Sequence, residues 1–357
     1  MSSLRVLTYN TQCRSWGMEA GAQGSLFPVT STEERARAIS RRIKNSYRTW
    51  DVVCLQEVFD EDARDVFIDE LNAEFPHQVR KCDVDELGLQ LGATAGALAA
   101  AFSVPAIGWL AAIGIAVGAI ATLLDSKYED SGLMIFSRLP FVQDPIPAQL
   151  ATMLQEVAPS LTTMPRVVFI PFEDATDADA SAAKGVVYAA IKRHDGGILH
   201  LLNSHTQADP TDNVGKNADT RRKQLDQVLG LIDQFASSQE EVLFVGDLNI
   251  DGTHRPDGPR QEWKDRFATG GSRWHGEFID AWFREQCPGD ITFTGVPLPA
   301  HFDRGATAGD QRLDYLIRSI PPFEGRLIAQ HMAIPYEVAN DPNGLAMYTS
   351  DHLPLSI

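Results

Sequence analysis

Val242-Leu-Phe-Val-Gly-Asp-Leu-Asn249 is a short apolar run that stops on a glycine, an acid and an amide. Such a run reads as a buried strand, and the polar residues behind it stand where a strand gives way to a loop. The same grammar recurs along the chain. Val6-Leu-Thr-Tyr runs into Asn10, Asp51-Val-Val-Cys-Leu into Gln56-Glu57, and Ile198-Leu-His-Leu-Leu into Asn203-Ser-His205. Further strand-like runs are Gly132-Leu-Met-Ile-Phe, Arg166-Val-Val-Phe-Ile, Gly185-Val-Val-Tyr-Ala-Ala-Ile and Tyr315-Leu-Ile, the last just after Asp314. Between them, Ser31 to Tyr47 has Glu33 and Glu34 behind Ser31-Thr32 and a periodic apolar set, which predicts an N-capped helix. Asp219 to Phe235 predicts a second, with Leu225, Val228, Leu229 and Ile232 on one side. The pattern is α/β with many strands. Without repeats or a dividing linker, residues 1–357 are expected to form one domain.

Composition narrows the function. Lys and Arg number 31 against 48 Asp and Glu, a net charge of −17. A protein that grips nucleic acid over many phosphates shows a basic surface, so an extended nucleic-acid partner is disfavoured, while an enzyme that cuts one phosphodiester is not. The four cysteines, Cys13, Cys54, Cys82 and Cys287, have no CxxC spacing and suggest neither a zinc cage nor a disulfide scaffold. The N-terminus runs straight into a strand without the features of a secretory leader. The expected location is the cytoplasm or a membrane periphery, or the outside by a route that needs no leader.

Residues 87–124 break the pattern: uncharged, rich in Ala and Gly, and interrupted by Pro105. At about 1.5 Å per helical residue the stretch could span a bilayer once or form a two-helix hairpin. A single crossing would separate residues that the chemistry below needs together, so an apolar helical hairpin is expected. It would contact a membrane or pack against protein, with Gly92/Gly96 and Gly114/Gly118 allowing close helix approach.

The polar residues at predicted strand ends form a set: Asn10, Glu57, His205, Asp247, Asn249 and Asp314, then Asp351 and His352 near the terminus. Polar groups directly after buried strands are where α/β folds build active sites, because the sheet fixes them while their heads reach a crevice. Taken singly, each is more simply a turn residue or cap. Together they are a constellation.

The series Tyr9-Asn10, Leu55-Gln-Glu57, Ser131-Gly-Leu-Met-Ile135, Ser204-His205-Thr206, Gly246-Asp-Leu-Asn249, Arg312-Leu-Asp-Tyr315 and Ser350-Asp-His-Leu-Pro354 resembles the endonuclease/exonuclease/phosphatase superfamily. The resemblance implies the deoxyribonuclease I-like fold, a four-layer α/β/β/α sandwich of two mixed sheets. Glu57-Val-Phe-Asp60, Asn203-Ser-His-Thr-Gln-Ala208 and Lys184-Gly-Val-Val-Tyr188 further resemble the neutral magnesium-dependent sphingomyelinases. Where secreted bacterial members insert an aromatic β-hairpin between the last two motifs, 319–349 has only Phe323, Tyr336 and Tyr348 scattered through it, which makes 87–124 the candidate for membrane docking, with packing against protein as the alternative.

What the resemblance implies is metal-dependent hydrolysis of a phosphodiester, with sphingomyelin giving ceramide and phosphocholine. Glu57, Asn10 and Asp351 would hold Mg²⁺, a hard cation suited to oxygen ligands, with Mn²⁺ or Co²⁺ as substitutes. His352 would be the general base, with Asp314 fixing its tautomer. Asp247 and Asn249 would orient the water and a phosphoryl oxygen, and His205 would donate to the transition state. Lys184 and Asp209 are candidate substrate contacts, with an exposed strand-end lysine and a helix cap as their plainer roles. A nuclease of the same fold and a phosphoinositide or other lipid phosphatase are the rival enzymes. A non-catalytic membrane-binding protein is disfavoured by the complete constellation.

Overall fold

The computed structural model describes residues 4–13, 31–45, 50–82, 130–145, 163–176, 179, 182–209, 215–237, 240–252, 254–255, 258–259, 261–268, 272–280, 313–319, 330–331, 339–340, 346–347 and 355–356. The expected hairpin at 87–124 and the candidates Asp351 and His352 lie outside them. No helix among the described residues is long and apolar enough to cross a membrane.

Two six-stranded sheets carry the fold. In chain order the strands are β1 (Val6–Cys13), β2 (Val52–Val58), β3 (His77–Val79), β4 (Met134–Ser137), β5 (Val167–Pro171) and β6 (Gly185–Lys192). β7 (Ile198–His205), β8 (Glu241–Asp247), β9 (Phe278–Asp280), β10 (Asp314–Ser319), β11 (Gln330–His331) and β12 (Leu355–Ser356) follow. The first sheet is ordered β11-β12-β1-β2-β4-β3 and the second β9-β10-β8-β7-β6-β5.

Each sheet is mixed, with one parallel pair at its heart. β1 and β2 run parallel from Val6↔Val52 to Asn10↔Gln56, and β7 and β8 from Leu199↔Glu241 to His205↔Asp247. A parallel pair needs a crossover, usually helical. Helix α1 (Thr32–Asn45) lies in the first crossover and α3 (Ala218–Phe235) in the second, while α2 (Glu61–Leu71) follows β2. The Ser31 hydroxyl accepts from the Glu34 N–H at 3.2 Å, which is the expected cap of α1.

Strand alternation sorts the core into three clusters. Val6, Val52, Cys54 and Ile135 of the first sheet face Val187, Leu199, Leu201, Leu243 and Val245 of the second, forming the layer between the sheets. On the outer face of the first sheet, Leu7, Tyr9, Val53 and Leu55 pack with Ile39 and Ile43 of α1 and Phe67 and Leu71 of α2. On the other side, Tyr188, Leu202 and Phe244 pack with Leu225, Val228 and Ile232 of α3. The result is the expected α/β/β/α sandwich of the deoxyribonuclease I-like class. Short polar strands such as His77–Val79, and the ladder pairing Gln143–Pro145 with Thr163–Pro165, carry no apolar run and are visible only from their partners.

Candidate active site

At the C-terminal ends of the two parallel pairs, the inner layer turns from apolar to polar. Along β1 the inward positions read Val6, Thr8, Asn10; along β2, Val52, Cys54, Gln56; along β7, Leu199, Leu201, Asn203, His205; along β8, Leu243, Val245, Asp247. Both sheets thus aim polar side chains into the same end of the interlayer space. Buried polar groups there require partners, and they find them across the gap. Asn10 Nδ2 donates to Asp247 Oδ2 at 3.0 Å, and Gln56 Nε2 donates to Asn203 Oδ1 at 2.7 Å.

Glu57 enters by breaking the alternation. Strict parity after Val53 and Leu55 would send it to the outer face. Its backbone is instead left-handed, φ 57°, which turns the carboxylate inward and leaves the next residue, Val58, in the outer cluster. A non-glycine residue there costs about 1–2 kcal/mol and persists only where its surroundings enforce it. Here they do: Val58 N–H donates to Gly132 O at 2.9 Å, and Arg64 Nη2 donates to Val58 O at 3.3 Å. Arg64 is also ion-paired to buried Asp130, whose Oδ1 accepts from Gly132 N–H at 2.5 Å. Asp60, the last residue of the Glu57-Val-Phe-Asp60 motif, caps α2 by accepting from Ala63 N–H at 2.9 Å.

Asp247 is held at both oxygens, Oδ2 by Asn10 and Oδ1 by the Asn249 N–H at 2.9 Å. Asn249 is also left-handed, φ 51°, and its Nδ2 donates to Thr206 O at 3.1 Å. Gly246, φ 133°, permits this strand end: a Cβ there would lie 1.9 Å from Ser204 O on the neighbouring strand. Asp314 opens β10 directly opposite Asp247 and is buried.

His205 is 3% exposed and its Nε2 stands 3.7 Å from Glu57 Oε1 and 3.6 Å from Asp247 Oδ2. One ligand atom from each of Glu57, His205 and Asp247 lies within 4.8 Å of the other two. Lys184, 4% exposed, stands beside them rather than on the surface. Its Nζ donates to Asp179 Oδ2 at 2.8 Å and Thr206 O at 2.9 Å, and meets His205 Nε2 at 3.0 Å. An ammonium has no acceptor, so in this arrangement Nε2 receives the hydrogen bond and the ring carries its proton on Nδ1. The plain expectation of an exposed strand-end lysine is therefore corrected, because β6 begins, directly after Lys184, inside the polar layer.

Asp209 lies apart from this cluster. Its Oδ1 accepts from Asn217 N–H at 2.8 Å, its Oδ2 from Gly215 N–H at 2.5 Å and from Arg221 Nη2 at 3.0 Å, so it secures the approach to α3. Fully buried Arg221 also donates to both Glu262 oxygens, at 2.8 and 2.7 Å. The residues with no prior role in the sequence reading are Gln56, Asp130, Asp179 and Asn203, buried or half-buried polar groups whose purpose shows only once the opposite strand or loop is in view.

The cluster suits a hard divalent cation. Two buried carboxylates face one another beside an imidazole, and oxygen-rich sets of this kind are what magnesium-like ions select. Among the described residues no nearby thiolate competes: burial pushes the Cys13 thiol up to about 11, and Cys54 higher still.

Comparison with known proteins gives the class. The chain belongs to the endonuclease/exonuclease/phosphatase family, whose model matches residues 7–352. The sphingomyelinase C of Bacillus cereus is 26% identical over 273 residues, 75% of this chain and 63% of that protein. The match thus spans a little under two thirds of that relative's length. Among solved structures, sphingomyelinase C from Streptomyces griseocarneus superimposes with a TM-score of 0.62 at 21% identity, covering 100% of this chain and 99% of that one. A Staphylococcus aureus beta toxin mutant with bound magnesium ions gives a TM-score of 0.57 at 17% identity, covering 99% of each chain.

Proposed function

We propose that this protein is a magnesium-dependent phosphodiesterase that hydrolyses sphingomyelin to ceramide and phosphocholine. The observation that carries the proposal is the convergence of Glu57 from one sheet with His205 and Asp247 from the other, within 4.8 Å. Sphingomyelinase relatives and the magnesium-bound beta toxin support the substrate class and the ion.

Glu57, Asn10 and Asp351 would hold Mg²⁺, which supplies positive charge for the phosphoryl oxygens and the leaving alkoxide. Water attacks phosphorus in line; the new P–O bond keeps the water oxygen in phosphocholine, and the bond to the ceramide oxygen breaks. His352 would take the water's proton, its tautomer fixed by Asp314, and the ceramide alkoxide would take a proton from solvent as it leaves, His352 returning its own to solvent afterwards. Leu355, three residues beyond His352 in sequence, pairs with Thr8, two residues before Asn10, which supports a role for the terminal motif here. Asp247, fixed at both oxygens, orients the water with Asn249. A phosphoryl oxygen entering between Lys184 and His205 would replace their mutual contact and accept from Lys184 Nζ, and it would accept from His205 as well once a proton sits on Nε2. Residues 1–357 act as one domain, and apolar 87–124 supplies the membrane contact.

The test is phosphocholine release from sphingomyelin vesicles with Mg²⁺ and with EDTA, beside phosphatidylcholine vesicles and plasmid DNA. Magnesium-dependent release from sphingomyelin is expected. Cutting of DNA, or release of inorganic phosphate from another lipid, would discard the substrate.

A further inference from the structure

We propose that Asn203 is a positioning residue that rivets the two sheets together at the level of the site, and so sets the separation of Glu57 from His205 and Asp247. The inference rests on the proposal that Glu57 and Asn10 hold Mg²⁺ beside His205 and Asp247. The cluster is divided between the sheets, so its geometry is only as exact as their alignment. Most of what lies between the sheets cannot supply that exactness, because apolar contacts among Val6, Cys54, Val187, Leu201 and Val245 are non-directional.

Hydrogen bonds with fixed lengths can, and they concentrate on one side chain. Asn203 projects from β7 two residues before His205. Its Nδ2 donates to Leu55 O and to Met134 O, each at 3.1 Å, and its Oδ1 accepts from Gln56 Nε2 at 2.7 Å. All three partners belong to the opposite sheet. Leu55 and Met134 are the last pair in the β2–β4 ladder, so Asn203 engages that ladder where it ends, two residues before Glu57. Gln56, immediately before Glu57, also donates to Thr8 Oγ1 at 3.0 Å, which carries the connection on to β1, the strand of Asn10. Asn203 and Gln56 are 0% exposed and Thr8 1%.

The chemistry requires a primary amide. Aspartate has the length but cannot donate to two carbonyls when ionised, and leucine has the bulk but neither donor nor acceptor. A polar group buried only for stability would, on removal, weaken folding and leave the cluster intact. A rivet would, on removal, loosen the cluster at a given cost in stability.

The experiment is isothermal titration of the full chain with Mg²⁺, together with thermal unfolding. The variants are Asn203→Leu, Gln56→Leu, Thr8→Val and, as a control, Leu199→Ala in the same inner layer at the far end of β7. Removing groups that orient metal ligands typically weakens binding by about 10–100-fold. Asn203→Leu is expected to fall in that range, Gln56→Leu and Thr8→Val several-fold, and Leu199→Ala to bind like the wild type despite a comparable loss of melting temperature. If Asn203→Leu does not fold, Gln56→Leu decides, because it removes one of the three cross-sheet bonds from the other side, while Thr8→Val breaks only the extension of that connection to β1. Wild-type affinity in all three variants would overturn the rivet, as would an equal loss in Leu199→Ala. A wild-type protein that takes up no Mg²⁺ would overturn the proposed function, and the rivet with it.

Discussion

Replacing Gly246 by alanine should damage the site severely, since among the described glycines its added Cβ would make the shortest contact. At φ 133° the new Cβ would sit 1.9 Å from Ser204 O, about 1.5 Å inside ordinary contact, and the obstacle is backbone rather than a movable side chain. β7 and β8 must therefore part at the Gly246↔Ser204 pair, next to His205↔Asp247. Backbone strain of about 1–3 kcal/mol adds to overpacking of about 1–3 kcal/mol, so a stability loss on the order of 3 kcal/mol is expected. The distance between His205 Nε2 and Asp247 Oδ2, now 3.6 Å, would open by an amount similar to the clash. Urea unfolding measures the first effect. The rise in melting temperature on adding Mg²⁺ measures the second and should vanish. An alanine variant within about 0.5 kcal/mol of wild type, the usual scatter of harmless substitutions, with its Mg²⁺ response intact would refute the reasoning.

Other expectations follow from the same geometry. His352→Ala should lower turnover by about 10²–10⁴-fold with unchanged circular dichroism and vesicle binding, and a near-normal rate would remove His352 from the mechanism. Deleting 91–123 should spare hydrolysis of a soluble analogue and lower activity on vesicles; equal vesicle activity would make the segment irrelevant to docking. Buried His200 contacts the Tyr188 hydroxyl at 2.8 Å and Glu240 Oε2 at 3.1 Å. Burial holds its pKa below the ordinary 6.5 against the upward pull of Glu240, while Arg166 adds to the lowering. The unfolded chain therefore takes up a proton first, and stability should decline as pH falls below 6.5; His200→Phe should flatten that decline in unfolding curves from pH 7 to 5. Arg221→Met strands Asp209 and Glu262 without their shared cation and should cost about 3 kcal/mol in urea unfolding, with KM for vesicles unchanged.

How far the sequence could be read depended on whether a residue's meaning was local. Apolar runs and capped helices are local, so the strands ending at Asn10, His205 and Asp247 and the helices over 31–47 and 219–235 stand within a few residues of their expected positions. The rule that polar groups follow buried strands pointed to Asn10, Glu57, His205 and Asp247, which the structure brings together, although strand alternation alone would send Glu57 outward; only the left-handed turn, supported by Gly132, Arg64 and Asp130, brings it in. Lys184 looked like a surface lysine because nothing in its own strand reveals Asp179 or His205 beside it. The roles of Asn203 and Gln56 were hidden for a related reason: an amide at the polar end of an apolar run reads as one more strand-end residue until the facing sheet supplies its partners.

The most direct measurement of the central claim is the initial rate of phosphocholine release from sphingomyelin vesicles as a function of Mg²⁺ concentration, for the wild type beside Glu57→Gln and Asp247→Asn. Saturable activation in the wild type is predicted, with half-saturation moved to much higher Mg²⁺ or activity lost in both variants while the folds persist. Full activity in EDTA, or wild-type Mg²⁺ dependence in either variant, would contradict the assignment of this cluster as the cation-dependent phosphodiesterase site.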